Sequence, residues 1–256
     1  MKDNIRLIQS IQRALDIISC FSQDNYLLSL GEIAQKLELN INTTRGIVNT
    51  LLYNGYLIHD EHENKYSLGL VFIPKADLVN SKFVDRFKSI IKPYLKEIAN
   101  KYQASSRLQL VSNNSIFTVE TINPIDSRYI LLTRLDTIFP LNATSSGKLF
   151  LYYMDDKSKN AYLDNLSQHK FTNKTITEKD SLLEELEFIH NNGYSCEYEE
   201  VGIGISSIAI PILNKKQKLI ATISLTGSST IIEGIADNAV MDIKQFIESI
   251  DTIHSS

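Results

Sequence analysis

Several residues that would force a special architecture are scarce or missing here. The 256-residue chain has no tryptophan, two cysteines, five prolines and ten glycines. The cysteines, Cys20 and Cys196, lie far apart and form no C-x-x-C pair. That excludes a zinc ribbon and a disulfide framework, and it fits a reducing compartment. No run of 18 apolar residues occurs, so no membrane span or membrane partner is expected. The first residues carry Asp3 and Arg6 and no uninterrupted apolar segment, so no signal peptide is expected and a cytoplasmic location is. A basic excess is also absent: 26 Lys+Arg stand against 30 Asp+Glu, for a net charge of −4. This argues against a polybasic coat for nucleic acid, although global charge says little about a single helix.

What is present is ordinary globular composition, 43% hydrophobic and 22% charged. At about 150 residues per domain the length suggests one large domain or two modest ones.

Ile8, Ile11, Leu15 and Ile18 recur at helical spacing and share one face of a predicted first helix. Ser22 to Asn25 reads as a loop. Ser29-x-x-Glu32 is a capping box, followed by Leu30, Ile33, Ala34 and Leu37 as the inner face of a second helix. A third helix, capped by Asn40 or Asn42, turns Ile47, Val48, Leu51 and Leu52 inward and ends at Gly55. Leu57–Asp60 and Lys65–Leu68, joined by a polar turn, read as a hairpin.

Three helices and a hairpin predict a winged helix-turn-helix over residues 1–73. Its third helix would enter the major groove of double-stranded operator DNA. Asn42, Thr43, Thr44, Arg45 and Asn49 are the candidate contacts, with Lys65 on the wing for a phosphate. From Leu39 to His59 there is one Arg and no acid, although residues 1–80 as a whole hold seven basic and nine acidic side chains. The alternative is a helical bundle that binds protein, or a ligand-binding or protein-interaction module whose winged helix no longer reads DNA.

Residues 74–82 read as a linker, partly helical, and 83–256 as a larger domain. Helical periodicity runs from Phe83 to Ile98, with a kink or restart expected at Pro93. Strands are expected at Arg107–Val111, Ser115–Glu120 (after an Asn113-Asn114 turn), Tyr129–Leu132, Tyr194–Glu199, Ser206–Leu213 and Leu219–Thr226. Helices are expected at Leu149–Met154, Asp156–Leu166, Ser181–Asn191 and Ala236–Ile253. This order predicts an α+β domain with an antiparallel sheet flanked by helices.

The rival chemistries are weak. Ser145-x-x-Lys148 has the spacing of a serine nucleophile and lysine base, but the K-T-G-like strand partner is missing, so Lys148 reads as a solvent-facing helix residue. Gly147-Lys148 lacks the upstream glycine of a P-loop, and Leu149 stands where Ser or Thr would hold magnesium. The five histidines show no metal-ligand spacing, and Glu184, Glu185 and Glu187 read as a solvated helix face. No catalytic residue, metal or cofactor is expected.

Three stretches carry a resemblance: the helix-turn-helix, Pro140-Leu141-Asn142-Ala143-Thr144-Ser145-Ser146-Gly147-Lys148, and Gly193-Tyr194 … Glu199-Glu200 … Gly204 … Ala209-x-Pro211-Ile212 … Ile223-Ser224-Leu225-Thr226-Gly227. In order and spacing, over nearly the whole chain, the set resembles the IclR family of bacterial transcriptional regulators. That resemblance implies a GAF-like effector-binding domain, a homodimer or homotetramer, and a small-molecule effector, often a carboxylate. It places effector-binding positions at Ser145 and Ser146, at Glu197 and Ser207, at Ser224 and Thr226, and at Leu132 as an apolar wall. Amides at the helix start after Thr144 would favour an anion. Two positions of the reading helix depart from the family: Ile41 stands where a Lys is common, and Gly46 where an Arg is common.

Overall fold

The computed structural model describes residues 7–22, 25–79, 82–112, 115–125 and 140–250. The expected Asn113-Asn114 turn and the expected strand Tyr129–Leu132, including Leu132, lie outside the described residues. The chain divides into two compact units, Met1–Val84 and Asp85–Ser256.

The first unit runs α1 (Gln9–Ser19), α2 (Leu30–Lys36), α3 (Ile41–Tyr53), β1 (Leu57–Asp60), β2 (Lys65–Leu68) and α4 (Phe72–Val79). The helix starts are set chemically. The Ser29 amide donates to Glu32 Oε2 at 2.7 Å while the Glu32 amide donates to Ser29 Oγ at 3.2 Å, closing the capping box. Asn40 Oδ1 accepts from the Asn42 amide at 2.8 Å and caps α3. At the other end Gly55 adopts φ +73°, where a side chain would be strained. Its amide and that of Tyr56 close on the carbonyls of Leu52 and Leu51. Ile17, Leu28, Ile33, Val48, Leu51 and Leu57 form the core. The wing pairs Leu57 with Leu68 through Asp60 with Lys65, and Leu28 bridges to Tyr66 beside it.

The expected one-faced stripe is divided in the structure: Ile8, Ile11 (56% exposed) and Leu15 (53%) face outward, while Ile18 packs against the core beside the fully buried Ile17. The helix carries two apolar stripes, Ile8/Ile11/Leu15 and Ala14/Ile17/Ile18. Periodicity alone could not say which one joins the core.

The second unit contains most of α5 (Lys82–Tyr102), then β3 (Ser105–Ser112), β4 (Ser115–Ile122), a 3-10 turn (Leu141–Ala143), α6 (Ser145–Tyr153), α7 (Asp156–Asp164) and α8 (Lys179–Asn192). It closes with β5 (Ser195–Tyr198), β6 (Ile205–Leu213), β7 (Leu219–Ser228) and α9 (Ser229–Ser249). α5 continues through Pro93, and α9 starts seven residues before Ala236, with Ser228 as its cap. The sheet order is β4-β3-β7-β6-β5, with every neighbour antiparallel.

Alternation gives this sheet two unlike faces. Leu108, Ile208, Ile210, Ile212, Ala221, Ile223 and Leu225 point one way and form the main core with Ile91, Leu95 and Ile98 of α5 and Ile232, Ala239 and Ile243 of α9. The intervening residues, Arg107 and Gln109 on β3, Thr222, Ser224 and Thr226 on β7, Ser207 on β6 and Glu197 on β5, are polar. Ala209 on that second face joins a smaller core with Leu149, Leu151, Leu182, Leu186 and Ile189.

Candidate functional site

On α3 the polar side chains of Asn42, Thr43, Arg45 and Asn49 are exposed. Arg45 Nη1 donates to Asn42 Oδ1 at 3.4 Å, and the first turn carries no acid. A Cβ at Gly46 would meet no atom within 4 Å, so this face is open between Asn42 and Asn49. Thr44 must be removed from the set of candidate contacts. It is 0% exposed, and its hydroxyl donates to the Asn40 carbonyl at 3.1 Å. Its position one turn before Val48 puts it on the core-facing side. Lys65 is half-buried and stands opposite Asp60 in register; its charge adds to the lowering of Glu32, which is caused chiefly by the hydrogen bond from the Ser29 amide. At the wing tip Asp60 Oδ1 accepts from the amides of His62 and Glu63, and the tip is exposed.

In the second unit the start of α6 is fixed by backbone contact. Thr144 Oγ1 accepts from the Gly147 amide at 3.0 Å. A Cβ at Gly147 would lie 2.4 Å from the Leu141 carbonyl oxygen, so only glycine lets the 3-10 turn close on the helix.

That start delivers Ser145 and Ser146 onto the polar sheet face. Ser145 Oγ lies 2.8 Å from Ser207 Oγ, which donates to Glu197 Oε2 at 3.1 Å. Glu197 Oε1 in turn accepts from the amides of Glu200 at 2.6 Å and Val201 at 3.2 Å. Ser146 Oγ donates to Gln109 Oε1 at 2.5 Å. Ser224 Oγ reaches the same oxygen at 3.3 Å and Thr222 Oγ1 at 3.2 Å. Thr226 is buried and pairs with Ser207 in register. The structure thus brings together Ser145, Ser146, Glu197, Ser207, Ser224 and Thr226.

Sequence reasoning missed Gln109 and Thr222. The alternation Arg107-Leu108-Gln109-Leu110 against Thr222-Ile223-Ser224 was the available signal. It also misplaced Lys148, which is 0% exposed rather than solvent-facing. Its Nζ donates to Glu200 Oε1 at 2.5 Å, Glu185 Oε2 at 2.8 Å and the Cys196 carbonyl at 3.2 Å. Three acceptors hold this ammonium, and the Ser145 hydroxyl is engaged by Ser207. The pair is therefore not arranged as nucleophile and base.

Burial shapes the charges. It pushes Glu200 up to about 7, with Lys148 pulling it back down. It also raises Glu197, against the lowering effect of the amides and hydroxyl that it accepts from. The half-buried Arg107 guanidinium is lowered by the same desolvation. Among the described residues there is no cluster of three His, Cys, Asp or Glu able to hold a metal, and no helix long and apolar enough to cross a membrane.

Comparison with known proteins matches both units. The family model described as the bacterial transcriptional regulator IclR C-terminal domain covers residues 85–252, and the IclR helix-turn-helix domain model covers residues 10–61. The chain is 24% identical to the HTH-type transcriptional regulator XynR of Escherichia coli over 242 residues, 94% of each chain. It is 22% identical to the transcriptional repressor IclR of Escherichia coli over 239 residues, 92% of this chain and 84% of that one. Among solved structures, an IclR family transcriptional regulator from Brucella abortus superposes with a TM-score of 0.79 at 20% identity, covering 98% of this chain and 95% of that one. An IclR homologue from Microbacterium hydrocarbonoxydans, complexed with 4-hydroxybenzoate, gives 0.66 at 19% identity, covering 94% and 99%.

Proposed function

The chain belongs to the IclR family of bacterial transcriptional regulators, and we propose on that premise that a small organic acid on the polar sheet face controls its operator binding. It is an IclR-type regulator with a helix-turn-helix domain and a C-terminal effector domain. Residues 1–73 are the reader, 74–82 the connector and 83–256 the sensor. In the reader, Asn42, Thr43, Arg45 and Asn49 take base edges and phosphates, and Lys65 takes a phosphate at the wing. The protein acts in the cytoplasm.

The observation that carries the sensor reading is the convergence of Ser145, Ser146, Ser207 and Ser224 from three separate elements onto one buried polar patch. Buried hydroxyls are costly unless bonded, and here they are held at the start of a helix whose first turn has no acid. That setting favours an anionic group. The related protein complexed with 4-hydroxybenzoate binds an organic acid, which supports the same ligand chemistry here.

A symmetric homodimer or homotetramer fits the reader. Leu7, Ile8, Ile11 and Leu15 leave an apolar stripe exposed along α1, and such stripes mark association surfaces. A dimer would read an approximately palindromic site.

A thermal-shift screen of small organic acids tests the proposal. A true effector at about 100 times its dissociation constant should add about 2.7 kcal/mol of stability and alter retention of operator DNA in a gel shift. A screen in which no acid changes either melting or DNA retention would sink the organic-acid reading.

A further inference from the structure

We infer that Gln109 is a specificity-determining residue of the effector site, its side-chain oxygen standing where an acid effector's oxygen must bind. The inference rests on the organic-acid reading above. Three hydroxyls from two elements converge on this one oxygen: Ser146 from α6 at 2.5 Å, and Thr222 and Ser224 from β7 at 3.2 and 3.3 Å. Thr222 Oγ1 also donates to Ser146 Oγ at 3.2 Å, so the three hydroxyls form a closed cradle around the oxygen. A carboxamide oxygen is neutral and has two lone pairs, which the Ser146 and Ser224 protons occupy while Thr222 divides its single proton between this oxygen and Ser146. A carboxylate accepts on about four sites, and its charge-assisted bonds are about twice as strong. The cradle therefore suits a carboxylate better than the group that fills it.

The exposures point the same way. Ser146, Thr222 and Ser224 are all buried, so their hydroxyls must keep an acceptor from the protein or a ligand. Gln109 alone of the four is half-buried, on a side chain with rotatable bonds. It is the member that can withdraw. An incoming acid exchanges its carboxylate for the Gln109 carboxamide, and the cost of that exchange sets which acids bind at working concentrations.

The test uses the full-length protein and calorimetric titration with glycolate, pyruvate, succinate and 4-hydroxybenzoate. Any acid that binds the native protein should bind Gln109→Ala at least fivefold tighter, because nothing has to be displaced. It should bind Gln109→Glu at least tenfold weaker, because a tethered carboxylate then holds the cradle. Gln109→Ser serves the same purpose as Gln109→Ala should the alanine variant fail to fold, which melting curves reveal. Equal or weaker binding by both small variants would overturn the inference while leaving the organic-acid reading intact. Absence of binding by all four acids to native protein and variants alike would remove that reading, and the inference with it.

Discussion

Lys148 Nζ lies 2.5 Å from Glu200 Oε1, and the side chains are only 1% and 7% exposed. The same ammonium holds Glu185 of α8 and the Cys196 carbonyl of β5. One charge thus ties the helix that presents Ser145 and Ser146 to another helix, to an edge strand and to the loop that carries the Glu197 contacts.

Breaking this tie on one side leaves the buried Glu200 carboxyl without its ammonium, at a cost that is largest where Glu200 would be ionised, above its raised value of about 7. At pH 8.5, Lys148→Met is expected to destabilise the second unit by up to about 3–5 kcal/mol in urea denaturation. The double variant Lys148→Met/Glu200→Gln should recover much of that loss. A loss below about 1 kcal/mol for the single variant would show that the pair does not form in solution.

Stability should also depend on pH through Glu200. Its folded pKa is raised to about 7, chiefly by burial, so the native state holds a proton that the unfolded state has released. Such a contribution is complete below the unfolded value near 4.5 and fades as pH rises through 7. Relative to Glu200→Gln, the native protein should therefore lose up to about 3 kcal/mol between pH 4.5 and pH 7. Urea midpoints at several pH values check this, and parallel curves for the two proteins would contradict it.

On the reading helix, Arg45→Ala and Asn49→Ala should each cost about 1–3 kcal/mol of operator affinity if they read bases. Thr44→Val should leave that affinity within about twofold, since Thr44 faces the core. Fluorescence anisotropy with the upstream region and with random DNA, at physiological salt, separates these outcomes. Equal binding of both DNAs would favour a module that no longer reads sequence.

The exposed stripe on α1 gives a test of assembly. Ile11→Glu with Leu15→Glu places two charges on it without touching the core residue Ile17. Sedimentation velocity should show weaker self-association, with an unchanged melting profile. An unaltered sedimentation distribution would exclude this stripe from the interface.

Gly147→Ala is expected to cost about 1–3 kcal/mol, by forcing the 3-10 turn away from α6. Because Ser145 and Ser146 ride on that helix start, acid binding should weaken along with stability. Normal binding in this variant would detach the helix start from the site.

Most of the fold was legible from local patterns. The Ser29–Glu32 box, the Asn40 cap, the Gly55 ending and the wing hairpin are each decided within a few residues, and each appears in the structure. The alternating strands also announced themselves, so Ser224 and Thr226 could be placed on one face. What stayed hidden depends on distant partners. Lys148 looks like a surface lysine until Glu185 and Glu200, 37 and 52 residues away, arrive beside it. Thr44 sits in a polar run, and only the bond to Asn40 and the contact side of α3 show that it points inward. The orientation of α1 likewise turned on which of two apolar stripes the rest of the unit accepted.

The two-faced sheet has an evolutionary consequence. On its oily side nearly every change removes buried apolar volume and endangers folding, at a typical cost of 2–5 kcal/mol for Leu or Ile to Ala. On its hydroxyl side, exchanges among small polar residues remove little such volume. The two sides should therefore drift at different speeds, with Ser207, Thr222, Ser224 and Thr226 exchanging among small polar residues that keep their buried bonds, while Leu108, Ile208, Ile223 and Leu225 stay put. If the organic-acid reading holds, a library built to retarget this domain belongs on those four positions and on Gln109.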